Sequence, residues 1–457
     1  METLTFNEIK DAVGGEVILE GAATGYNSIN TDTRNIKAGD VFIALKGENF
    51  NGNKFLKQAV ESGALLCIVD ELLTDTKDIN SAGIIKVQDT RKALLDLAGY
   101  YRKKLRTKIV GITGSTGKTS TKDLAAAALS KKFKVLKTKG NFNNEVGLPL
   151  MIFSLDNSYD VAVLEMGMNN LEEIHRMAQA ARPDIALITN VGMTHIGNLG
   201  SRENILKAKL EIADFFGKDN TLIVNSDSDL LENLGSRPYR VITTSAMSGA
   251  EYSAHDIALG DEDVSFRVCE RGTGFNMPIR IDVPGRHTVN NALLAIACAR
   301  LLGMSMEEIS EGFGNLEKTA MRLDIIRGEK FIIINDCYNA NPDSMKSGID
   351  VLKNLNSKRH VAILGTMGEL GNEAWEAHRM VGEYAKKRGI DLLITLGQYN
   401  NAFKAGFGDN CFTFDDYGEA VEFAAGYLKK GDAVIVKASR SMKFEKIVEL
   451  LKQANHL

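Results

Sequence analysis

The stretch Val110-Gly-Ile-Thr-Gly-Ser-Thr-Gly-Lys-Thr-Ser120 lies between an apolar run and a segment of helical spacing with an alanine-rich face. Strand, glycine-rich loop and helix in this order form the context that a phosphate-binding loop requires. The glycines let backbone N–H groups approach phosphate oxygens, and the helix N-terminus adds a partial positive charge. Lys118 is expected to reach the β- and γ-phosphates, and Thr119 is expected to ligate magnesium. The stretch therefore predicts a nucleotide-binding α/β unit.

The glycine spacing in this loop is shorter than in the general phosphate-loop pattern. That pattern places a glycine five residues before Gly117, where this chain has Ile112. The alternative interpretation is a glycine-rich turn that binds nothing. Lysine and threonine directly after a glycine, between a strand and a helix, rarely occur by accident, and they favour phosphate binding.

Apolar runs alternate with helical segments on the C-terminal side of this loop. The strand candidates are 109–113, 161–165, 185–190 and 221–225. This alternation is typical of a parallel sheet covered by helices on both faces. The segment 264–283 departs from the pattern, because its residues alternate about Gly272-Thr-Gly274 and predict an antiparallel hairpin.

Two further units are predicted on either side of this central one. Short apolar runs near 41–45 and 65–69 indicate a small α/β domain at the N-terminus. From Thr319 onward, apolar runs again alternate with helical segments and predict a second, Rossmann-like parallel sheet. At roughly 150 residues per domain, 457 residues also suggest about three domains. We therefore expect domains at residues 1–106, 107–318 and 319–457.

Composition excludes several classes of protein. Lys and Arg number 55 and Asp and Glu 59, and the net charge of −4 argues against a dedicated nucleic-acid binder. The five cysteines are far apart and never in CxxC spacing, which argues against a zinc site or a disulfide framework. Residues 1–11 are charged, and no stretch has the ~18 uninterrupted apolar residues of a membrane span. We expect a cytoplasmic protein with no signal peptide and no membrane span.

Two residues follow strand candidates where a metal ion could bind. Glu165 ends the run 161–165, and His195 lies in the loop after the run 185–190. Ligands of open α/β sheets bind at the carboxyl ends of the strands, so both side chains are candidate metal ligands. Magnesium prefers oxygen, which makes Glu165 the natural ligand and His195 the unusual one. Glu165 could instead cap the next helix, and His195 could be a hydrogen-bonding residue.

Several motifs together resemble the Mur ligases, a family of ATP-dependent enzymes that form amide bonds in peptidoglycan precursor synthesis. The loop Thr113–Thr119 resembles that family's short phosphate loop, which accounts for Ile112. Glu165-Met-Gly and Asn190–His195 resemble its two metal-binding strand ends. Gly140–Pro149 resembles its substrate-contacting loop.

The resemblance continues into the remaining sequence. Pro284–Asn291 resembles the stretch that holds adenine, although Thr288 stands where the family usually has Asn. Met321-Arg-Leu323 resembles the arginine motif that begins the C-terminal domain, and Thr31–Arg34 resembles part of the uridine-nucleotide domain. The segments that are most similar to the family member acting on D-alanyl-D-alanine are Asn335–Ser344, Leu364–Gly371 with His378, and Val436–Lys443.

One lysine gains a specific role from the resemblance. Ala208-Lys-Leu-Glu-Ile212, in the helix candidate 202–216, resembles the family's carbamylated-lysine segment. Carbamylation turns an ammonium into a carboxylate-like group, so Lys209 would bind a second magnesium ion. Without the resemblance, Lys209 is interpreted as a solvent-facing helix lysine.

The resemblance implies site residues for each ligand. The implied ATP-binding residues are Thr113, Gly114, Ser115, Thr116, Gly117, Lys118, Thr119, Ser120, His287, Asn291, Arg322 and Asp336. The implied substrate-binding residues are Thr31, Asp32, Thr33, Arg34, Asn141, Asn144, Glu145, Tyr338, Asn339, Asn341, Lys437, Ser439 and Arg440. The implied metal ligands are Thr119, Glu165, His195 and carbamylated Lys209, and the implied catalytic residues are Lys118, Lys209 and His195. For residues 437–440, an ordinary strand-to-helix turn with a capping serine is an equal alternative.

The implied reaction joins D-alanyl-D-alanine to UDP-MurNAc-tripeptide through an acyl phosphate, with ATP and two Mg²⁺ ions as cofactors. We also expect a monomer, although the sequence leaves the oligomeric state open. Two alternatives stay open. One is another ligase on the same scaffold, such as folylpolyglutamate synthase or a Mur ligase that acts earlier. The other is a phosphate-loop regulatory switch that binds ATP and a partner without making a product.

Overall fold

The computed structural model describes residues 1–79, 81–247, 249–317 and 319–455. Within these ranges the strands form three large sheets and one small hairpin. The predicted fold class, an α/β protein of three units with a mostly parallel central sheet, is confirmed. Across the same ranges, no helix has the length and apolar character needed to cross a bilayer.

The N-terminal unit is a small α/β layer. Its strands are β1 (Glu16–Leu19), β2 (Ile29–Asn30), β3 (Val41–Ile43), β4 (Lys46–Gly47), β5 (Phe50–Asn51), β6 (Leu66–Val69) and β7 (Gly83–Lys86). Its helices are α1 (Phe6–Val13), α2 (Leu56–Glu61) and α3 (Thr90–Arg102). The main sheet has the order β1-β7-β6-β3-β2, and only the β1–β7 pair is antiparallel in the described chain. Strands β4 and β5 pair separately as a short hairpin.

The central unit contains the phosphate loop. Its strands are β8 (Lys108–Thr113), β9 (Val135–Lys137), β10 (Val161–Glu165), β11 (Ile185–Ile188), β12 (Thr221–Asn225), β13 (Arg240–Ser245), β14 (Tyr252–Leu259), β15 (Val264–Glu270) and β16 (Phe275–Ile281). Its helices are α4 (Lys118–Leu129), α5 (Gly147–Phe153), α6 (Glu173–Ala181), α7 (Ile196–Leu199), α8 (Arg202–Leu210), α9 (Arg286–Leu301) and α10 (Met306–Phe313). We call its sheet, with the order β16-β15-β14-β13-β12-β11-β8-β10-β9, the central sheet.

The position of β8 in the central sheet decides where a ligand can enter. Strand β8 pairs in parallel with β10 on one side and with β11 on the other, so the chain order reverses at this strand. Such a switch point leaves a crevice beyond the carboxyl ends of the strands. The alanine-rich face of α4 packs on α9, whose residues 291–299 are all buried. The phosphate loop therefore sits over the middle of a rigid sheet.

The predicted hairpin is confirmed, and it extends the central sheet. Strands β15 and β16 pair antiparallel, and β15 also pairs antiparallel with β14. The strands from β9 to β14 are parallel, so the hairpin changes a parallel sheet into a mixed one at its edge. Strands β13 and β14 were not predicted from the sequence.

The C-terminal unit is a second, mostly parallel sheet. Its strands are β17 (Asp324–Arg327), β18 (Phe331–Asn335), β19 (His360–Gly365), β20 (Leu392–Leu396), β21 (Cys411–Phe414) and β22 (Asp432–Lys437). Its helices are α11 (Pro342–Asn354), α12 (Ala374–Lys387), α13 (Asn400–Phe407), α14 (Tyr417–Tyr427) and α15 (Glu445–Ala454). The strand order in this sheet is β17-β18-β22-β19-β20-β21. Among the described strand pairs of this sheet, only β17–β18 is antiparallel.

The carboxyl ends of the central and C-terminal sheets face each other. Asn341 Nδ2 donates to Thr194 Oγ1 at 2.8 Å across this interface. At a second point, on the turn between β14 and β15, Glu262 pairs with Arg327 at 2.6 Å. The two sheets thus enclose a space between the loops that follow their strands.

Candidate active site

A cavity of about 360 Å³ lies between the central and C-terminal units, and we call it the nucleotide cavity. The phosphate loop forms one wall, and the segment that follows β18 forms the opposite wall. The predicted site residues that line it are Ser115, Thr116, Gly117, Lys118, Thr119, Ser120, Asn144, Glu165, His195, His287, Asn291, Arg322, Asp336, Tyr338, Asn339, Asn341 and Lys437. Motifs up to 322 residues apart in sequence, from Ser115 to Lys437, thus meet around one space.

The glycines of the phosphate loop are required by close backbone packing. Gly114 has φ +151° and Gly117 has φ +78°, both in the region that favours glycine. A Cβ on Gly114 would lie 1.8 Å from Thr189 Oγ1, and one on Gly117 would lie 2.7 Å from Asn291 Oδ1. Glycine at both positions therefore lets the loop pack closely against Thr189 and Asn291.

Asn190 holds the loop from the neighbouring strand end. Its Oδ1 accepts from Thr116 N at 2.8 Å, and its Nδ2 donates to Thr116 Oγ1 at 2.7 Å. The carbonyl of Asn190 also accepts from Ser115 N at 3.1 Å. Sequence reasoning placed Asn190 only at the start of a metal-binding segment. Asn190 follows β11, the strand next to β8, and this position could have indicated its contact with the phosphate loop.

Lys118 lines the nucleotide cavity, and the described residues do little to neutralise its positive charge. Its Nζ donates to Gly114 O at 2.7 Å, and no ion pair to it lies within the described residues. Burial lowers its pKa, while the nearby Glu165 carboxylate opposes that shift. An ammonium held by one carbonyl in a phosphate loop fits an anionic ligand.

Thr119 and Glu165 form an oxygen-rich pair beside the loop. Thr119 Oγ1 donates to Glu165 Oε2 at 3.0 Å, and Arg322 donates to the same hydroxyl at 3.2 Å. Asn143 Nδ2 donates to Glu165 Oε1 at 2.8 Å. Hydroxyl and carboxylate oxygens are the ligands that magnesium prefers, so this pair fits one Mg²⁺ ion. Asn143 was missed as a site residue, although it lies in the predicted substrate loop between Asn141 and Asn144.

His195 lies at the rim of the nucleotide cavity and faces the C-terminal unit. Its Nδ1 is 2.7 Å from Glu369 Oε2. Nε2 has no protein partner within the described residues, and it is the ring nitrogen left for a metal. This contact was not predicted, because Glu369 lies in the segment Leu364–Gly371, to which no metal-binding role was assigned.

Lys209 is buried, so its interpretation as a solvent-facing helix lysine is wrong. The residue is 1% exposed, and Nζ has no hydrogen-bond or ion-pair partner within the described residues. Burial lowers its pKa well below the usual range, and nearby Lys118 lowers it further. The uncharged amine is the form that can add carbon dioxide, which a carbamate requires.

The fit of a second magnesium ion depends on that modification. No group of three or more His, Cys, Asp or Glu side chains near enough to hold a metal occurs in the described ranges. An unmodified lysine amine is not a magnesium ligand, whereas a carbamate oxygen is a suitable one. The donor set at His195 and Lys209 therefore fits Mg²⁺ only with Lys209 carbamylated.

The predicted adenine segment closes another side of the nucleotide cavity. Asn291 Nδ2 is buried with no hydrogen-bond partner among the described residues, and its side chain borders the cavity. His287 borders the same space, and desolvation lowers its pKa. Thr288, which departs from the family pattern, donates to Pro284 O at 3.0 Å and stabilises the start of α9. An unpartnered amide beside the phosphate loop fits the polar edge of a base.

The C-terminal wall contains a buried ion pair. Lys437 is 3% exposed, and its Nζ lies 2.6 Å from Asp336 Oδ2 and 3.0 Å from Asn339 O. Asp336 and Lys437 were predicted for different ligands, whereas the structure joins them in one ion pair that faces the nucleotide cavity. Nearby, the Arg322 guanidinium lies over the Tyr338 ring at 4.4 Å.

Ser439 and Arg440 lie outside the nucleotide cavity as the structure describes it. Ser439 Oγ accepts from Gly368 N at 2.7 Å and joins two loops of the C-terminal unit. Arg440 is exposed and pairs with Glu445 at 3.2 Å. Ser439 makes no side-chain cap to the turn that follows it, so the alternative of a capping serine is wrong.

The remaining predicted substrate residues lie toward the N-terminal unit. Strand β2 is followed by Thr31, Asp32, Thr33 and Arg34. The Asp32 carboxylate accepts a hydrogen bond from Arg34, and this contact lowers the pKa of Asp32. Arg34 lines a cavity of about 550 Å³ there. Glu145 pairs with Arg176 in a groove of about 790 Å³ between α3 and α6. Asn141 is exposed, and it lines neither this groove nor the cavity at Arg34.

Comparison with known families gives matches along most of the chain. Residues 25–102 match the model of the Mur ligase family catalytic domain. Residues 112–299 match the Mur ligase middle domain, and residues 321–440 match the Mur ligase glutamate ligase domain.

Individual relatives are similar over nearly the full length. The UDP-N-acetylmuramoyl-tripeptide–D-alanyl-D-alanine ligase of Bacillus subtilis is 36% identical over 433 residues, 93% of each chain. The ligase of the same name from Escherichia coli is 33% identical over 99% of each chain. Among solved structures, MurF from Acinetobacter baumannii aligns with a TM-score of 0.92 at 30% identity, covering 99% of each chain. MurF ligase from Thermotoga maritima in complex with ADP aligns with a TM-score of 0.85 at 26% identity, covering 94% of this chain and 98% of that one.

Proposed function

The chain belongs to the Mur ligase family, and from that premise we propose that it joins D-alanyl-D-alanine to UDP-MurNAc-tripeptide while ATP is converted to ADP and phosphate. It is an ATP-dependent amide-forming ligase, and its product is the UDP-MurNAc-pentapeptide of peptidoglycan synthesis. In this role it supports cell-wall biogenesis, cell shape and division. We further propose that it works as a monomer in the cytoplasm.

One observation carries this proposal. The phosphate loop and the segment after β18 line the same cavity, although they belong to different sheets. A regulatory switch needs a nucleotide and a surface for its partner. A ligase must in addition bring a second substrate to the γ-phosphate. A nucleotide cavity whose far wall is supplied by a separate unit provides that arrangement.

The proposed ATP site uses the loop first. Backbone N–H groups of the loop and Lys118 bind the β- and γ-phosphates, and Asn291 with His287 binds the adenine side. Arg322 reaches the same region from the C-terminal unit. Because the Lys118 ammonium has a carbonyl as its protein partner, phosphate oxygens can complete its coordination.

The residues that would hold magnesium are Thr119 and Glu165 for one ion, and His195 with carbamylated Lys209 for the other. Bound magnesium neutralises phosphate and carboxylate groups that would otherwise repel each other. The chain's own contribution is to hold these donors in place. Asn143 orients the Glu165 carboxylate, and Arg322 orients the Thr119 hydroxyl.

The proposed chemistry has two steps. A carboxylate oxygen of the tripeptide attacks the γ-phosphorus, the bond to the β–γ bridging oxygen breaks, and ADP leaves. The amine nitrogen of D-alanyl-D-alanine then attacks the acyl carbon, loses a proton, and phosphate departs as the amide forms. Lys118 stabilises charge on the transferring phosphoryl group, which is the main catalytic need of such a step.

We propose the domain division 1–106, 107–318 and 319–457, with uridine nucleotide, ATP and dipeptide as the respective tasks. The boundary residue 318 and the last two residues lie outside the described ranges. The separation of the sheets supports this division, because β7 and β8 belong to different sheets, as do β16 and β17. The groove between α3 and α6, which contains Glu145, connects the first two units.

The test is product analysis after incubation with ATP, Mg²⁺, UDP-MurNAc-tripeptide and D-alanyl-D-alanine. We expect the pentapeptide, ADP and phosphate, with ADP release dependent on both acceptor and dipeptide. Release with diaminopimelate or glutamate in place of the dipeptide, and none with the dipeptide, would identify a different ligase. Slow hydrolysis that ignores both substrates would identify a switch.

A further inference from the structure

A single carboxylate from the C-terminal unit reaches a candidate metal ligand of the central unit. Glu369 follows β19, and its Oε2 lies 2.7 Å from Nδ1 of His195, which follows β11. Both residues have φ of +65°, a left-handed backbone that non-glycine residues seldom adopt. Such conformations persist where the surrounding structure holds them, and they are concentrated at functional sites.

The loop that contains Glu369 is fixed on both sides. Met367 N donates to His378 Nε2 at 2.8 Å, and Gly368 N donates to Ser439 Oγ at 2.7 Å. Across the interface, Gly197 N donates to the carbonyl of Glu369 at 3.2 Å. The carboxylate is therefore presented by a braced loop, although the side chain itself is 49% exposed.

The two loops meet backbone to backbone. A Cβ on Gly197 would lie 2.7 Å from Gly371 N, so glycine is needed for the approach. This approach brings the carboxylate of Glu369 to the imidazole of His195. The contact exists only when the C-terminal unit is docked on the central one.

The chemistry of such a contact is specific. A metal-binding histidine usually donates its second ring N–H to a carboxylate, which fixes the tautomer and the ring orientation. A proton on Nδ1 next to Glu369 leaves the lone pair of Nε2 available for a metal. The contact with His195 also lowers the pKa of Glu369, with a smaller contribution from Lys118.

We propose that Glu369 is a positioning residue that orients His195 across the interface, so that the second metal position is complete only when the C-terminal unit is docked. This inference rests on the proposed ligase function and its magnesium ions. It couples the unit that brings the dipeptide to the site of phosphoryl transfer. ATP is then used efficiently only in the assembled state.

The test compares Glu369→Gln with the matched control Glu373→Gln in the full-length chain. Glu373 is an exposed carboxylate four residues further along the chain. Binding of Mn²⁺ is measured by electron paramagnetic resonance in the presence of a non-hydrolysable ATP analogue. We expect Glu369→Gln to weaken the second Mn²⁺ equivalent by about 10- to 100-fold and to raise the Mg²⁺ concentration for half-maximal turnover similarly. Glu373→Gln should match the wild-type protein in both measurements.

A double-mutant cycle with His195→Ala isolates the contact. If Glu369 acts through His195, Glu369→Gln adds no further loss of Mn²⁺ binding in the His195→Ala background. Additive losses would overturn the proposal. So would wild-type Mn²⁺ binding by Glu369→Gln together with a raised KM for D-alanyl-D-alanine, which would assign the carboxylate to the ammonium of the dipeptide.

Two further measurements keep the result interpretable. Glu369→Asp retains a shortened carboxylate, and we expect Mn²⁺ binding between that of wild type and Glu369→Gln. If Glu369→Gln does not fold, as judged by its melting temperature, the Asp variant decides the question, and wild-type Mn²⁺ affinity in it rejects the proposal. The Mn²⁺ measurement requires neither the UDP-MurNAc-tripeptide nor D-alanyl-D-alanine, so it tests this inference separately from product analysis of the wild-type chain.

Discussion

Two buried lysines, one in the central unit and one in the C-terminal unit, differ in whether the protein supplies a partner for their charge. Lys437, in the C-terminal unit, pairs with Asp336 and donates to the carbonyl of Asn339. Lys209, in the central unit, has no hydrogen-bond or ion-pair partner among the described residues, and burial lowers its pKa well below the usual range. A buried cation that is paired within its own unit belongs to the fold. A buried lysine without a partner is left for a ligand or a modification, because the fold alone does not stabilise its charge.

Lys118 lies between these extremes and gives the largest expected effect. Its ammonium has one carbonyl partner, so the ligand must supply the rest. We expect Lys118→Ala to lower kcat/KM for ATP by about 10³-fold, or about 4 kcal/mol, with unchanged melting temperature. ADP release measures the first quantity. Exposed Lys387 on α12 provides the control, and equal losses in Lys118→Ala and Lys387→Ala would contradict a phosphate role for Lys118.

The paired lysine should act on stability. Lys437→Met removes the cation that pairs with the buried Asp336 carboxylate, which keeps only the weaker hydrogen bond from Leu323 N among the described residues, and we expect this to destabilise the C-terminal unit by about 3 kcal/mol. The chain has one tryptophan, Trp375, and it lies on α12 of that unit. Urea unfolding followed by its fluorescence therefore reports on the correct unit. Adding Asp336→Asn should restore part of the loss, and a double variant that is less stable than Lys437→Met would contradict the ion-pair explanation.

The unpartnered lysine should act on activity instead. We expect Lys209→Ala to lower turnover by about 10²-fold, equivalent to about 2.7 kcal/mol, with little change in unfolding free energy. Short carboxylates such as acetate should restore part of the activity, because they replace the oxygens of a carbamate. Full activity in Lys209→Ala would end the carbamate hypothesis. A large loss of stability would make Lys209 similar to Lys437 and remove the contrast between them.

The smallest effect concerns pH and the loop that presents Glu369. Burial lowers the pKa of His378 to about 4, and its Nε2 accepts from Met367 N as the neutral ring. In the unfolded chain the His378 ring takes up its proton near pH 6.5, as an ordinary histidine does. The free energy of unfolding therefore falls as the pH drops from 6.5 toward 4. We expect a loss of about 2 kcal/mol between pH 7.5 and pH 5, measured by Trp375 fluorescence. His378→Gln should flatten this slope, and an unchanged slope would assign the loss to other groups.

Local sequence patterns predicted most of the strands and helices, but they missed strands whose formation depends on tertiary contacts. The strands that border the phosphate loop were predicted because apolar runs and glycines mark them directly. Strand β13 ends in Thr-Thr-Ser, which is too polar to predict a buried parallel strand. Strand β14 has an irregular register between His255 and Ala258, which obscures its alternation. Helix α9 begins at Arg286, directly after Gly285, whose φ of +95° is accessible to glycine and which serves as the N-cap.

Site residues could be predicted where a single sequence motif is enough to indicate what the side chain binds. Lys118 and Thr119 follow from the loop itself. Asp336 and Lys437 are 101 residues apart, so their contact is hidden in the sequence, and the two were assigned to different ligands. The contact of Glu369 with His195 is hidden for the same reason.

The hairpin at the edge of the central sheet has a consequence for how the C-terminal unit is oriented. The turn that joins β14 to this hairpin contributes Glu262 to the pair with Arg327, and Asp261 in the same turn accepts from Asn356 N at 3.2 Å. The loop that contains His195 gives a second support on the same sheet. Two supports on one stiff body define an axis, and the rotation of the C-terminal unit about that axis is the movement least hindered by either contact. The orientation of the C-terminal unit is therefore supported from the same sheet that carries the phosphate loop.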